Sequence, residues 1–281
     1  MKRLLLLLIL IVILPGCLND DGSNVDKISF HSELLDKEMI IQIYRPPGYT
    51  NDISYPVLYF IADYGGSSYT VMNEYAVPAT ADEMISGEKI FPLLIVGVNM
   101  DKSFGLNSST DTGSYTTETD KKLNTGMYKS YFCDEVIPLI ESSYNVINEK
   151  EGRYIGGYSM GGFAALYITF TEQELFSKVG GHSPSIFKDD FPDKTVSDWL
   201  YPDIETRFER DPILIAQNNE ISGLEVFLDV ESGGSEGVRY LYEILSDKGV
   251  KVEFYELGFS HDRMTCSENM DKYLSFYAGK Y

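Results

Sequence analysis

The hydrophobic pattern of this chain alternates between short, wholly apolar runs and longer runs with apolar residues at helical spacing. Val57–Ile61 and residues 93–98 are apolar throughout, which is typical of strands buried on both faces of a parallel sheet. Residues 128–144 and 238–247 instead show one apolar face of a helix. Shorter strand-like runs lie at residues 154–155, 179–181, 226–228 and 252–255. The alternation predicts a doubly wound α/β fold, with a mostly parallel central sheet and helices on both faces.

Two further strand-like runs precede this alternation, at residues 28–30 and 39–44. A turn region at residues 35–37 separates them, so they predict an N-terminal hairpin. Pro46 and Pro47 end the second strand, because proline cannot donate to a strand ladder.

The first residues have the pattern of a secretory leader. Lys2 and Arg3 precede an apolar run over residues 4–14, which is shorter than the roughly 20 residues of a membrane span. Gly16 and Cys17 follow, and they resemble the lipobox of prokaryotic lipoproteins, in which the cysteine thiol is lipidated. We expect a signal peptide at residues 1–16, a flexible tether at 17–26 and one domain at 27–281. Plain secretory cleavage and an uncleaved anchor are the alternatives.

Composition agrees with a folded domain outside the cytoplasm. The 281 residues are 43% hydrophobic and 13% aromatic, enough for a large core. The formal net charge is −20, and loss of Lys2 and Arg3 with the leader would make it −22. Such a chain repels nucleic acid and anionic lipid head groups, so only the lipid on Cys17 would hold it at the membrane. We expect an extracytoplasmic, membrane-anchored lipoprotein, at the cell surface or in the periplasm.

Beyond Cys17, the chain has only Cys133 and Cys266. They lie in separate predicted helices, and we expect two buried free thiols, with a disulfide as the alternative in an oxidising compartment.

The segment Gly157-Tyr158-Ser159-Met160-Gly161 carries the strongest chemical signal. It has the form G-x-S-x-G and joins a strand-like run to an apolar helical pattern, which is the context of a nucleophile elbow. The glycines allow a sharp turn that projects the Ser159 hydroxyl, and the helix N-terminus favours a developing anion at the same place. The alternative is a glycine-rich turn in which Ser159 only caps the helix.

Four segments together resemble one family. They are Ile-Tyr-Arg-Pro-Pro-Gly-Tyr at 43–49, Tyr-Pro-Val-Leu-Tyr at 55–59, Glu-Val-Ile-Pro-Leu-Ile-Glu at 135–141 and Gly-Tyr-Ser-Met-Gly-Gly at 157–162. In this order and spacing they are similar to the putative esterase family of α/β-hydrolases, from about residue 30 to the end of the chain. That family includes feruloyl and acetyl-xylan esterases, S-formylglutathione hydrolases, siderophore esterases and mycolyltransferases. The resemblance implies an α/β-hydrolase fold and a serine esterase.

The base that would activate Ser159 is sought among three histidines, His31, His182 and His261. The hydrolase order along the chain is serine, acid, histidine. His31 precedes the serine, and His182 follows too soon for an acid to intervene, so we expect it to be a hydrogen-bonded loop residue near the site. His261 lies after the last predicted strand, where the family places its base, and we assign it that role.

The acid should follow the strand near residues 224–230. Here the family usually has a glycine, two variable residues and an aspartate, whereas this chain has Glu231 at the aligned position. Glutamate can also accept the imidazole N–H, so we assign Glu231 as the acid and keep Glu236 as second choice. Asp229 is expected to point to the wrong side of the strand, and the position of Glu236 at a helix start is explained by the helix dipole.

The oxyanion hole should take one backbone N–H from Met160, the residue after the nucleophile. The second donor should come from the loop after Val57–Ile61, which in the family often has His-Gly and further glycines. This chain has Ala62-Asp63-Tyr64 there. We assign Tyr64 as the donor, with Asp63 as the alternative. A negative Asp63 side chain would oppose an oxyanion unless it turns away.

The cleft walls are the least specified part of the site. Residues 101–126 are polar and without periodicity, which predicts a long loop on the substrate side. Within it, Phe104 and Tyr115 are candidates for stacking on an acyl or sugar ring, or for local packing. Trp199 and the segment 183–211 are candidates for another wall. No cluster has metal-ligand spacing and no phosphate-binding glycine loop occurs, so we expect neither metal nor cofactor.

These observations predict a serine carboxylic-ester hydrolase with a Ser-His-Glu triad and an acyl-enzyme. The expected substrate is an acylated carbohydrate or a similar nutrient ester outside the cytoplasm, by analogy with the family. One alternative is an acyltransferase of the same fold, in which a sugar hydroxyl replaces water. Another is a non-catalytic binding lipoprotein, suggested by the unusual Asp63 loop and the unusual acid.

Overall fold

A computed structural model describes residues 22–109, 111, 113–116, 122–189, 191–257 and 260–280. The predicted signal peptide and Cys17 lie outside the described residues. Within the described stretches, no helix combines the length and apolarity that crossing a bilayer requires.

A large sheet forms the centre of the molecule. Its strands are β1 Asn24–Ser32, β2 Lys37–Arg45, β3 Val57–Ile61, β4 Leu94–Val98, β7 Arg153–Tyr158, β8 Lys178–His182, β9 Glu225–Glu231 and β10 Lys251–Leu257, with β5 Gly113–Thr116 and β6 Lys122–Thr125 in a separate hairpin. The order across the sheet is β1-β2-β4-β3-β7-β8-β9-β10. The strands from β4 to β10 in this order are parallel, whereas β1 and β2 pair antiparallel. The predicted mostly parallel sheet with an antiparallel N-terminal hairpin is therefore confirmed.

Helices cover both faces of the sheet. They are α1 Val77–Ser86, α2 Tyr128–Ser130, α3 Ile137–Ser143, α4 Met160–Thr171, α5 Lys194–Leu200, α6 Ile204–Arg210, α7 Pro212–Asn218, α8 Glu236–Asp247, α9 Arg263–Glu268 and α10 Met270–Ala278. Among the described residues, two segments are π-helical, Thr70–Glu74 and Tyr131–Val136. The second joins α2 to α3, so the helix predicted at residues 128–144 is one helical stretch that ends at Ser143.

The sheet separates two hydrophobic cores. One core packs α4, α7 and α8 against the first face, and the other packs α1 and α10 against the second. Cys133 is half-buried beside the first core, and Cys266 is buried in the second. Both cysteines are free thiols, as predicted, and they lie on opposite faces of the sheet.

Three local expectations were wrong. β1 begins at Asn24, which pairs with Arg45, so residues 24–26 belong to the domain rather than to the tether. The segment 101–126 contains the β5–β6 hairpin, whose polar Ser, Thr and Gly residues show no apolar alternation. His182 is the last residue of β8 rather than a loop residue, because its backbone continues the ladder opposite Tyr158.

Different parts of the molecule lie at the two ends of the parallel strands. The carboxyl ends of the parallel strands meet at one edge, which we call the carboxyl edge, and ligands of open α/β sheets bind there. β2 runs antiparallel to β4, with Tyr44 opposite Ile95, so Arg45 and Asn24 lie at the other, amino edge. The Phe91 N–H donates to the Ala278 carbonyl at 2.8 Å, which places the end of α10 at the amino edge too.

Candidate active site

Ser159 occupies the turn between β7 and α4. Its backbone has φ 58° and ψ −116°, in the left-handed half of conformational space that non-glycine residues rarely adopt. The Ser159 N–H donates to the His182 carbonyl at 2.9 Å, and the Ser159 carbonyl accepts from Phe163 N–H at 3.1 Å. A strained residue of this kind costs on the order of 1–3 kcal/mol and persists where its surroundings determine it.

Two glycines allow this turn. A Cβ on Gly157 would lie 2.4 Å from the carbonyl carbon of Gly161, and a Cβ on Gly161 would lie 2.2 Å from the Ile61 carbonyl oxygen. Real Cβ atoms do not approach other atoms so closely. The glycines are therefore required because the start of α4 passes directly over the ends of β7 and β3.

Ser159, His261 and Glu231 lie together at the carboxyl edge. The Nε2 atom of His261 is 2.7 Å from the Ser159 Oγ, and its Nδ1 atom is 3.3 Å from the Glu231 Oε1. Glu231 is the last residue of β9, and His261 lies between β10 and α9. The imidazole stacks on the Tyr158 ring, with centroids 5.2 Å apart. This geometry lets the imidazole accept the hydroxyl proton while its other nitrogen donates to the carboxylate.

The environment of Glu231 favours its ionised form. The hydrogen bond from His261 lowers the pKa of Glu231 most, and partial burial opposes this. The backbone N–H of Glu231 and the Ser183 hydroxyl lower it further. The carboxylate therefore keeps its negative charge to lower pH than usual, and can balance an imidazolium.

The other two carboxylates considered for this role lie elsewhere. Asp229 shares a strand face with Glu231, because side chains two residues apart in a strand point the same way, so the expected wrong-side orientation is incorrect. It is fully buried one step deeper, where it accepts the Ser183 N–H at 2.7 Å and lies 3.3 Å from His182 Nδ1. Glu236 is exposed at the first turn of α8. Of the three carboxylates, Glu231 is the one in contact with His261.

The two remaining histidines have other partners. His182 is fully buried, its Nε2 lies 3.0 Å from the Tyr277 Oη, and burial lowers its pKa. The hydrogen bond that joins it to Ser159 is made by its backbone carbonyl. His31 lies on β1, beside the carboxylates of Asp36 and Glu38.

Two backbone N–H groups are candidates for an oxyanion hole. Met160 is the first residue of α4, so its N–H has no acceptor within the helix. The Asp63 N–H is engaged, since it donates to the Tyr75 Oη at 3.0 Å. The Tyr64 N–H has no acceptor among the described residues, so of the two predicted loop donors it is the one available to a ligand. The Tyr64 hydroxyl donates to the Lys122 carbonyl at 2.5 Å, which attaches this loop to β6.

The Asp63 carboxylate forms an ion pair that sequence reasoning missed. Arg263 Nε lies 2.9 Å from Asp63 Oδ2, and Arg263 Nη1 lies 2.7 Å from Glu74 Oε2. The signal available in the sequence was an arginine two residues after His261. Its partners are distant in sequence, so the pairing emerged only from the fold.

Ser185 is a second residue that sequence reasoning missed. Its Oγ lies 3.1 Å from the Ser159 Oγ, and its N–H donates to the Ser159 carbonyl at 3.0 Å. It reaches the elbow because Ser183, before it, turns the chain at φ 39° directly after β8.

The predicted aromatic walls are resolved in part. Phe104 is buried, and its ring packs edge-on against Phe163 at 5.4 Å and tilted against Trp199 at 6.4 Å, so both Phe104 and Trp199 serve local packing. The side chain of Tyr115 lies outside the described residues. Within the part of the chain that is described, no three His, Cys, Asp or Glu side chains are grouped to hold a metal ion.

Comparison with known proteins places this geometry in a family. A curated relative, an endo-1,4-beta-xylanase/feruloyl esterase of Xylanibacter ruminicola, is 28% identical over 165 residues, which is 56% of this chain. That match spans only 21% of the relative's length. A solved ferulic acid esterase superposes with a TM-score of 0.73 at 19% identity, covering 91% of this chain and 98% of that one. An S-formylglutathione hydrolase from Agrobacterium tumefaciens gives 0.70 at 20% identity, covering 92% and 95%.

These structural similarities show the α/β-hydrolase fold. The sequence model of the putative esterase family matches residues 32–239, a segment that contains β2, the elbow and Glu231. Since that match takes in well over half of the chain, this protein belongs to the putative esterase family.

Proposed function

We propose that this protein is a serine esterase that works through Ser159, His261 and Glu231 and an acyl-enzyme. The observation that carries the proposal is the 2.7 Å contact between His261 Nε2 and Ser159 Oγ. Glu231 lies on the opposite side of the same imidazole. A binding protein has no need of a strained serine aligned with a histidine and a carboxylate.

In the acylation step, His261 Nε2 accepts the hydroxyl proton as Ser159 Oγ attacks the ester carbonyl carbon. The Glu231 carboxylate accepts a hydrogen bond from Nδ1–H and stabilises the imidazolium that forms. The backbone N–H groups of Met160 and Tyr64 donate to the oxyanion of the tetrahedral intermediate. His261 then protonates the leaving alcohol oxygen as its bond to the carbonyl carbon breaks.

In deacylation, water takes the place of the alcohol. His261 accepts a proton from the water as it attacks the acyl carbonyl, and the same two N–H groups hold the second oxyanion. His261 finally returns the proton to Ser159 Oγ, so the free acid leaves and the starting state is restored.

For the substrate, we propose an ester of a carbohydrate, with an aromatic acid such as a feruloyl group as the first candidate. The curated relative and a solved structural neighbour carry feruloyl or ferulic acid esterase in their names. In this chain, Phe187 lies two residues after Ser185, is half-buried and contacts Phe191 with ring centroids 4.8 Å apart. An aromatic side chain therefore lies two residues along the chain from Ser185, whose hydroxyl contacts the Ser159 Oγ.

We further propose that the protein acts outside the cytoplasm, tethered by a lipid on Cys17. The sequence pattern before Asn24 supports this, and β1 enters the sheet at the amino edge, opposite Ser159. The full chain expressed in a bacterium should incorporate labelled palmitate and sediment with membranes. Cys17→Ala should abolish both, and an unlabelled wild-type chain would contradict the tether.

The catalytic proposal is tested by p-nitrophenyl acetate hydrolysis and by labelling with a fluorophosphonate probe. Both should disappear in Ser159→Ala while circular dichroism and melting temperature show a folded protein. Retention of turnover in Ser159→Ala would overturn the nucleophile assignment. A folded wild-type protein with neither turnover nor label would favour the non-catalytic binding alternative.

The substrate proposal is tested by comparing kcat/KM for methyl ferulate, methyl cinnamate and acetylated xylan. A preference for methyl ferulate is expected. A protein that releases acetate from acetylated xylan and ignores both aromatic esters would contradict the feruloyl assignment without affecting the serine mechanism.

A further inference from the structure

We propose that Arg263 is a positioning residue that neutralises Asp63 beside the oxyanion hole. In the same contact it fastens the loop carrying His261 to the loop carrying Tyr64. This inference rests on the proposed serine-esterase function. It explains how the chain can carry a carboxylate next to the site where negative charge develops.

Asp63 is close to the elbow because of how the sheet is ordered. β3 and β7 are neighbours, and Ile61 pairs with Gly157 at their carboxyl ends. The start of α4 approaches this point so tightly that a Cβ on Gly161 would lie 2.6 Å from the Ala62 carbonyl oxygen. Asp63 is the next residue along, and the N–H of the residue after it is the proposed oxyanion donor.

An unpaired carboxylate at this position would oppose catalysis. Like charges repel, and the repulsion is strong where protein rather than water lies between them. The ester substrate is neutral at its carbonyl, whereas the tetrahedral intermediate carries an oxyanion. A negative Asp63 would therefore raise the energy of the transition state more than that of the bound substrate.

Arg263 counters this charge directly. Its Nε lies 2.9 Å from Asp63 Oδ2, and the Asp63 side chain is only 17% exposed, so water screens this pair less than an open surface pair. The second contact, to Glu74 at 2.7 Å, fixes the other side of the guanidinium. Arg rather than Lys suits a group that must bind two carboxylates at once.

The same contacts join three segments of chain. Arg263 begins α9, two residues after His261, while Asp63 follows β3 and Glu74 ends a π-helical segment. Asp63 is also held through its N–H by the Tyr75 Oη. The loop that supplies an oxyanion donor and the loop that supplies the base are thereby fixed relative to each other.

The charge role is tested by a double-mutant cycle on kcat/KM for p-nitrophenyl acetate. Arg263→Ala should lower kcat/KM about tenfold, and raising NaCl to 0.5 M should recover part of the loss because salt screens Asp63. Asp63→Asn should cost less than Arg263→Ala. The double variant should be several-fold more active than Arg263→Ala, since the uncompensated charge is gone although the contact is still missing.

A second variant separates charge from fastening. Arg263→Lys keeps the positive charge but not the two-sided contact, so it should retain more activity than Arg263→Ala. If Arg263→Ala fails to fold, Arg263→Lys and Arg263→Gln are compared in its place, with Asp63→Asn added to each. Adding Asp63→Asn is then expected to raise kcat/KM in the Arg263→Gln variant and not in the Arg263→Lys variant.

A matched ion pair serves as the control. Arg45 donates through Nη2 to Asp26 Oδ1 at 3.1 Å, with similar exposure, but it lies at the amino edge of the sheet. Arg45→Ala and Asp26→Asn should leave kcat/KM unchanged and show no salt-dependent recovery.

The proposal is overturned if Arg263→Ala matches the wild type, or if adding Asp63→Asn to it gives no recovery. These outcomes differ from failure of the serine-esterase function, which would show as turnover that survives in Ser159→Ala or as absence of turnover in the wild type.

Discussion

Two histidine–carboxylate pairs lie side by side in this molecule, with their carboxylates two residues apart on β9, and they differ mainly in access to solvent. In each pair the imidazole Nδ1 is 3.3 Å from a carboxylate on β9, Asp229 for His182 and Glu231 for His261. The pair of His182 and Asp229, which we call the inner pair, has fully buried side chains. In the pair of His261 and Glu231, which we call the outer pair, the side chains are 40% and 24% exposed.

The Nε2 atom of each imidazole shows what this difference in exposure means. In His261 it faces the Ser159 Oγ at 2.7 Å, and in His182 it faces the Tyr277 Oη at 3.0 Å. The outer pair can pass a proton to and from a substrate, while the inner pair is closed off by Tyr273 and Phe60 stacked on the ring. The same two side-chain types thus take part in the proposed chemistry at the surface and in hydrogen bonding within the core.

The largest expected effect comes from breaking the outer pair. Glu231→Gln should lower kcat by about 10³- to 10⁴-fold, because the amide no longer stabilises the imidazolium or selects the correct tautomer. The free energy of unfolding should change by less than about 1 kcal/mol, since the pair is half-exposed. Both are measured on one preparation, by p-nitrophenyl acetate turnover and urea unfolding. Glu236→Gln is the control and should retain wild-type turnover. If Glu231→Gln kept wild-type turnover and Glu236→Gln lost it, Glu236 would be the acid.

Breaking the inner pair should instead reduce stability. Asp229→Ala leaves the His182 Nδ1 and the Ser183 N–H without their acceptor in a dry interior. Each buried donor left without an acceptor costs about 1–3 kcal/mol, so we expect a loss of about 3–5 kcal/mol in the free energy of unfolding, measured by urea denaturation. Glu231→Ala, two residues along the same strand, should cost far less. Equal losses for the two variants would show that burial does not distinguish the pairs.

The two pairs should also respond to different ranges of pH. Burial lowers the pKa of His182, so the unfolded chain binds a proton that the folded chain refuses, and stability falls as the pH drops below about 6.5. The hydrogen bond from His261 lowers the pKa of Glu231 in the folded protein. The stability that the ionised Glu231 contributes is therefore lost only below the ordinary pKa of a glutamate, as the pH falls toward the pKa of Glu231 in the folded protein.

Urea unfolding between pH 8 and pH 5 separates these effects. His182→Gln keeps a donor for Asp229 but does not titrate, so its stability should fall less steeply with decreasing pH, by up to about 1.4 kcal/mol per pH unit. An unchanged slope would mean that His182 is not the group responsible.

The smallest effect is expected from the residue between the pairs. The Ser183 hydroxyl donates to Asp229 Oδ1 at 3.0 Å and also helps to lower the pKa of Glu231. Ser183→Ala should lower kcat two- to tenfold and cost about 1 kcal/mol of stability, the value of one hydrogen bond. Turnover and unfolding should therefore both shift slightly. If only turnover changed, Ser183 would act on the outer pair alone. If only the free energy of unfolding changed, it would act on the inner pair alone.

The elbow was predictable because its causes are local. A strand, a turn and a helix within a few residues require Gly157 and Gly161 by steric contact alone, and these residues are adjacent in sequence. His261 followed from the chain order of the hydrolase triad, and Glu231 from the resemblance to the putative esterase family, whose acid aligns with it. His261 and Glu231 accordingly lie where the sequence placed them, beside Ser159.

The ion pair of Arg263 was not predictable for the opposite reason, whereas the strand face of Asp229 was predictable and was misassigned. Asp229 was assigned to the wrong strand face, although the two-residue period of a strand already places it beside Glu231. The partners of Arg263 lie 200 and 189 residues away along the chain, and no local pattern connects them. The β5–β6 hairpin escaped prediction because its pairing depends on backbone groups rather than on apolar side chains.

The positions of the first strand and the last helix have a practical consequence. Asn24 and Ala278 both lie at the amino edge, across the sheet from the elbow. A carrier domain, a bead or a sensor chip joined directly before Asn24 or after Ala278 would therefore leave the carboxyl edge facing outward. The domain is suited to being mounted on other modules or on solid supports without obstruction of its cleft.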